Sequence, residues 1–136
     1  MKGDNTHMYN DVIEFHKHYD ISAYSDKPTC LPIDTWEARV RFMQEELNEF
    51  IYAHARGDLE ESFDALLDLV YVALGTAYLM NLPVDEGWQE VHKANMRKVK
   101  SININQSKRK MLGDVIKPAG WQPPDLSKIL ARVSIK

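Results

Sequence analysis

Five carboxylates carry the chemistry this sequence is equipped to do. Glu45, Glu46 and Glu49 fall within five residues, and Asp64 and Asp68 stand four apart in the otherwise apolar stretch Ser62 to Leu74. The glutamates alone would read as a solvated helix face. The aspartates change that reading, because a buried charge without a partner costs several kcal/mol, on the order of the net stability of a small domain. A cation should compensate them. Hard divalent ions such as Mg²⁺ take oxygen ligands, keep several waters and commonly bridge to substrate phosphates, so carboxylates on facing helices predict a metal-dependent phosphate site.

The elements that must position these acids are helical. A first helical pattern covers about Asn10 to Tyr19, with Val12, Ile13, Phe15, His16 and Tyr19 at partly helical spacing, and Ser25 to Pro32 reads as a loop. A second helix starts at Asp34 or Thr35, where Asp34 with Glu37 has the form of a capping box, and runs to about Ala55. Its apolar stripe is Trp36, Val40, Met43, Leu47, Phe50, Ile51 and His54. Gly57 suits a helix stop, and Asp58 with Glu61 repeats the capping signature for a third helix to about Met80. So short a connection predicts antiparallel neighbours. On the third helix Phe63, Leu66, Leu67, Val70, Ala73, Leu74 and Ala77 form the predicted core face, while Glu61, Asp64, Asp68 and Tyr71 line another. Pro83 opens a fourth helix, about Val84 to Lys100, with an inward stripe of Val84, Trp88 and Val91. Continued, that stripe reaches Asn95 and Lys98, polar residues where apolar ones belong, as at a polar cavity.

Composition bounds the class. The 136 residues predict one domain, a helical core over about 34–100 and a C-terminal arm over 101–136 that carries Gly113, Pro118, Gly120, Pro123 and Pro124 and ends in a short helix. A hydrophobic share of 44% with 27% charged residues is that of a soluble globular chain. A net charge of -3 argues against a dedicated nucleic-acid binder. The single cysteine, Cys30, excludes an internal disulfide and fits a reducing cytoplasm. The polar start Met1-Lys2-Gly3-Asp4-Asn5 leads to no apolar signal region, and the apolar run Ala65 to Met80 is interrupted by Asp68, so neither export nor a membrane span is expected. His16 and His18, two apart, are poorly spaced for joint ligation and read as core or surface residues.

Glu45-Glu46-x-x-Glu49, the Asp64/Asp68 helix and Asn95-Met96-Arg97-Lys98 together resemble the MazG-like all-α nucleoside triphosphate pyrophosphatases, a superfamily that includes phosphoribosyl-ATP pyrophosphohydrolases and dimeric dUTPases. The resemblance covers roughly residues 34–100. It implies an all-α, antiparallel four-helix-bundle-like core that cleaves a nucleotide between its α and β phosphates, with Mg²⁺ (Mn²⁺ a possible substitute) held by an E-x-x-E set and an E-x-x-D set. Glu46 and Glu49 match the first set, with Glu45 beside them to orient or deprotonate water. The second is broken, since Ala65 stands three residues before Asp68. Asp64 must then supply the second oxygen; the alternative, Glu61-x-x-Asp64, is less favoured because Glu61 already has a capping role. The assignment that follows is Glu46, Glu49, Asp64 and Asp68 for metal, Glu45, Glu46 and Glu49 for catalysis, and Asn95, Lys98 and Trp121 for substrate, with Trp121 weighed between a base platform and an anchor for its tail.

Three functions remain open at this level. The favoured one is hydrolysis of (d)NTP to (d)NMP and pyrophosphate in house-cleaning or pool control; the others are phosphoribosyl-ATP hydrolysis in histidine biosynthesis and a non-catalytic nucleotide-binding bundle. A di-iron bundle is disfavoured, because Glu-x-x-His occurs nowhere. A mostly apolar third helix offers more surface than one small bundle covers, which predicts a homodimer or dimer of dimers.

Overall fold

A computed structural model describes residues 6–134; the polar opening residues 1–5 and residues 135–136 lie outside it. The chain is mostly helical and divides into two compact units, one ending at Val84 and the other beginning at Asp85.

The first unit holds α1 (Thr6–His18), α2 (Ile33–Ala55) and α3 (Leu59–Leu79), with α3 packed against both of the others. All three end alike. A residue at positive φ (Asp20, Gly57 or Asn81) lets the next amide reach back five residues, Ile21 to His16, Asp58 to Ala53 and Leu82 to Ala77 at 2.8–3.0 Å. This is the Schellman arrangement, which satisfies carbonyls that a helix end leaves open. The loop between α1 and α2 is stitched to the end of α3: Tyr24 and Thr29 amides donate to the Leu79 and Met80 carbonyls, each at 3.0 Å.

The helix starts are only partly as expected. Asp58 caps α3, its carboxylate accepting from the Glu61 amide at 3.0 Å. The Asp34/Glu37 box does not form, because α2 starts earlier with Pro32 at the cap and no side-chain bond there. Asp34 therefore sits inside the first turn, where its charge favours the positive end of the helix dipole.

The predicted core face of α3 is not the face this chain buries. Buried residues on α3 are Ser62, Ala65, Val72, Gly75 and Leu79, whereas Phe63, Leu66, Leu67 and Val70 are exposed. On α2 the buried residues are Glu46 and Ala53, and Trp36, Val40, Leu47 and Ile51 of the expected stripe are exposed. Small side chains let the two backbones approach; the large apolar ones lie outside that seam.

Arg39 and Gly75 mark the tightest part of the seam. Arg39 donates from Nε to Thr76 Oγ1 at 3.0 Å and from Nη2 to the Val72 carbonyl at 2.9 Å, and buried His16 bonds the Val12 carbonyl through Nδ1 at 2.7 Å. A Cβ on Gly75 would lie 2.9 Å from Arg39 Nη2 and 3.2 Å from His16 Cε1.

The second unit comprises α4 (Val84–Met96), the antiparallel pair β1 (Val99–Lys100) and β2 (Val115–Ile116), a 3₁₀ turn at Ile104–Gln106, and α5 (Leu126–Ser134). The fourth helix is thus shorter than expected: it stops at Met96, and Lys98 leads into β1. The loop between the strands is held by Ser107, whose hydroxyl donates to Asp114 at 2.8 Å and accepts the Arg109 and Met111 amides, each at 3.2 Å.

Gly75→Ala should push Arg39 off both acceptors, and the loss of two hydrogen bonds from a charged donor should outweigh the roughly 1 kcal/mol that alanine gains over glycine in a helix, for a net cost of about 1–2 kcal/mol. Urea unfolding of wild type and variant measures this, and equal midpoints would contradict the described packing.

Candidate active site

Residues three apart share a face of a helix, so Glu46 and Glu49 project together from α2. The antiparallel seam sets Asp68 of α3 opposite them, and one carboxylate oxygen from each of the three lies within 4.8 Å of the others. Glu46 is buried, Asp68 half-buried and Glu49 exposed. One Glu46 oxygen, Oε2, has no hydrogen-bond partner.

The electrostatics follow from this crowding. Burial, and then the charges of Glu49, Asp68 and Asp64, raise the Glu46 pKa from 4.5 to about 7. Burial, then Asp64 and Glu49, also raise that of Asp68. Proximity of like charges and loss of water both disfavour ionisation. A group of three oxygens with one buried, unpaired acceptor suits a hard divalent cation, which favours the charged forms and supplies the missing partner. Glu46, Glu49 and Asp68 are the residues that would hold it.

The other sequence-derived candidates are placed as follows. Asp64 is exposed and acts on the triad through its charge, without joining it. Glu45 is exposed, next to Glu46 in the chain. Ala65 is 1% exposed, packed in the helix seam. Glu61 is exposed and outside the triad. In the second unit Asn95 is exposed near the end of α4, and Lys98 is half-buried just beyond it. Trp121 donates Nε1–H to the Ala94 carbonyl at 2.8 Å, so its indole anchors the tail to α4. Its ring is approached by the ammonium groups of Lys98 at 5.5 Å and Lys117 at 4.9 Å.

Two contributors escaped the sequence reading. Arg39, seven residues before Glu46, lies on the same face of α2 about 10 Å along its axis. Burial lowers its pKa, and its bonds are to neutral acceptors on α3. The seven-residue spacing from Glu46 was the available signal. Lys117 was signalled only by its place four residues before Trp121.

A helical pair carrying a carboxylate triad across its seam can hold a divalent cation, the kind of ion that binds phosphate oxygens. Residues 12–95 match the model of the phosphoribosyl-ATP pyrophosphohydrolase family, and the chain belongs to that family, within the MazG-like all-α pyrophosphatase superfamily. It is accordingly a nucleotide pyrophosphohydrolase, a hydrolase of phosphoric anhydride bonds. No match was found among curated proteins.

A raised folded pKa means that Glu46 favours folding most below 4.5, and that this contribution is lost as pH rises through about 7. In EDTA at pH 8, Glu46→Gln should therefore stabilise the protein by roughly 1–3 kcal/mol, the cost of an unsatisfied buried group. The gain should shrink towards pH 5. Urea midpoints at the two pH values test this, and a gain independent of pH would contradict the burial of an ionisable Glu46.

Proposed function

We propose that the protein is a Mg²⁺-dependent nucleoside triphosphate pyrophosphohydrolase that converts (d)NTP to (d)NMP and pyrophosphate. The observation that carries this reading is the Glu46, Glu49 and Asp68 triad with its unpaired Glu46 oxygen, in a chain of a pyrophosphohydrolase family. Mg²⁺, or Mn²⁺ in its place, would supply charge neutralisation at the phosphates and acidify a bound water.

The chain's own residues then have distinct tasks. Glu46 and Glu49 present oxygens from one helix and Asp68 from its neighbour, so the packing of α2 on α3 fixes the spacing of the set before substrate arrives. Asp64 adds negative charge beside them. Glu45, exposed and next to Glu46, orients the attacking water or accepts its proton. The water oxygen bonds to phosphorus, the α–β bridging bond breaks, and its electron pair leaves with pyrophosphate.

Phosphoribosyl-ATP is the second reading, favoured by the description of the matched family. Both reactions split the same anhydride, so the triad by itself does not choose between them.

A homodimer or dimer of dimers is part of the proposal. Phe63, Leu66, Leu67 and Val70 on α3, and Val40, Leu47 and Ile51 on α2, are large and exposed, an extent of apolar surface typical of an interface. By length and composition α3, whose 21 residues include an 18-residue window of mean hydropathy 1.3, could also cross a membrane. Its Glu60, Glu61, Asp64 and Asp68 favour a protein partner, since each acid in hydrocarbon costs a few kcal/mol. The lone exposed Cys30 fits a cytoplasmic setting.

Pyrophosphate release should be measured with ribo- and deoxyribonucleoside triphosphates and phosphoribosyl-ATP in Mg²⁺. Loss of at least two orders of magnitude in kcat/KM in Glu49→Ala and Asp68→Ala, about 2.7 kcal/mol or more, is the expected outcome. Turnover of phosphoribosyl-ATP alone would replace the favoured reading with the second, and no turnover of any substrate would reject both. Light scattering should give a mass of at least twice 15.7 kDa; a 15.7 kDa species alone would reject the oligomer.

A further inference from the structure

The register of the β1–β2 hairpin pairs Val99 with Ile116 and Lys100 with Val115, and the Ser101 amide, bonded to the Asp114 carbonyl at 2.6 Å, carries that register one residue further. Side chains alternate along a strand, so Ser101 and Asp114 share one face while Lys100, Val115 and, one step on, Ile102 share the other. The first face is covered: Ser101 is buried, and the Asp114 carboxylate accepts from Ser107 and Arg109. The second is bare. Ile102 is 84% exposed and Val115 53%, and Leu112, next to Gly113, is 80% exposed. Lys100 lies across this face, its Cε 3.1 Å from the place a Cβ on Gly113 would take. Hydrogen bonds from Ser107, and from Asn103 to the Asn105 and Gln106 amides at 3.0 and 3.2 Å, fix the loop with these apolar side chains outward.

Charge is divided unevenly along this chain. Residues 1–84 carry 15 carboxylates and 6 Lys or Arg, whereas residues 85–136 carry 5 carboxylates and 11 Lys or Arg. Within residues 98–117 there are 6 Lys or Arg and one acid, Asp114, whose oxygens lie 2.6 and 2.7 Å from Arg109 Nη2. Lys100 and Lys108 have no ion-pair partner among the described residues. The third helix is the reverse, with 4 acids and no lysine or arginine in Leu59–Leu79. On it Glu60, Phe63, Leu67 and Val70 follow i, i+3, i+7 and i+10 spacing along one exposed side, bordered by exposed Asp64. Hairpin and helix thus each present apolar side chains edged by charge, and the charges are of opposite sign. An anionic lipid surface would attract the hairpin as well, but it would repel the acids that predominate in residues 1–84.

We propose that the β1–β2 hairpin of one protomer docks on the Glu60 to Val70 side of α3 in a second copy, and that the reciprocal contact closes a two-fold dimer. Docking brings Ile102, Leu112 and Val115 onto Phe63, Leu67 and Val70, with Lys100 and Lys108 towards Glu60 and Asp64. The contact rests on the oligomer reading above and names the element that covers the exposed face of α3. Residues 99–116 lie beyond the matched family residues, 12–95, so the family match does not assign it.

Light scattering of the full chain across concentration and salt tests the contact. Ile102→Glu and Leu112→Glu, at side chains turned to water, should each weaken association by roughly tenfold or more. Lys100→Glu and Glu60→Lys should each shift the mass towards 15.7 kDa. Mixing those two variants should restore a mass of twice 15.7 kDa, because both contacts of the mixed dimer then set opposite charges together. Salt should weaken wild-type association; α3 packed on α3 would set acid against acid and respond with the opposite sign. Wild type at 15.7 kDa alone rejects this contact together with the oligomer. A wild-type dimer that salt strengthens, or whose mass Leu112→Glu leaves unchanged, overturns the hairpin contact and leaves the oligomer standing. If Leu112→Glu fails to fold, the mixing experiment decides, and no recovery of mass overturns the contact. Sedimentation with phosphatidylglycerol vesicles that Leu112→Glu abolishes, at unchanged mass, also overturns it and assigns the hairpin to a lipid surface.

Discussion

Mutual repulsion among Glu46, Glu49 and Asp68 is the constraint on which the first unit is organised. Two unit charges about 4 Å apart repel by about 4 kcal/mol at an effective dielectric of 20. Arg39 lies on the same face of α2, about 10 Å along its axis from Glu46. Arg39 is moreover held by neutral oxygens of Thr76 and Val72. Arg39 is therefore not an ion-pair partner of the triad. What is left uncompensated is a concentrated negative site whose protonation, through Glu46, competes with an incoming metal.

Small residues make that concentration possible. Ala53, Ser62, Ala65, Val72 and Gly75 line the buried seam, so α2 and α3 approach closely enough for carboxylates on both to converge. Gly75 has a second task, since the space its missing Cβ leaves is taken by Arg39 and His16. Ala65 belongs to the same pattern: the position where the resembled motif has glutamate is packed, and Asp64 contributes charge from outside the triad.

The helices and their antiparallel connection were legible because Gly57 and the Asp58 cap are local signals, acting within a few residues. The fourth helix was read too long, because helical periodicity in Asn95 to Lys98 does not reveal that a strand begins at Val99. The side of α3 that packs on α2 was misread for a different reason. Phe63, Leu66, Leu67 and Val70 have the larger transfer free energy, so a rule that ranks burial by apolarity chooses them. Sequence periodicity identifies an apolar face but not whether the same chain or another molecule covers it. The acids were legible as a set, since an aspartate pair in an apolar helix requires an explanation; which of them converge depends on helix register, a tertiary quantity.

The segregation of charge bears on how a polyanion can be handled at all. A nucleoside triphosphate approaching Glu46, Glu49 and Asp68 without a cation meets charge of its own sign, and the 15 carboxylates of residues 1–84 deepen that barrier. The excess of lysine and arginine in residues 85–136 is of the sign that attracts such a polyanion. Placing every cation at the triad would remove the barrier, but it would also neutralise the oxygens that a metal needs as ligands. Arg39, held on neutral acceptors, leaves those oxygens unpaired. Phosphate attraction and metal ligation make opposite electrostatic demands, and the sequence separates the two kinds of charge, with its acids concentrated in residues 1–84 and its bases in residues 85–136.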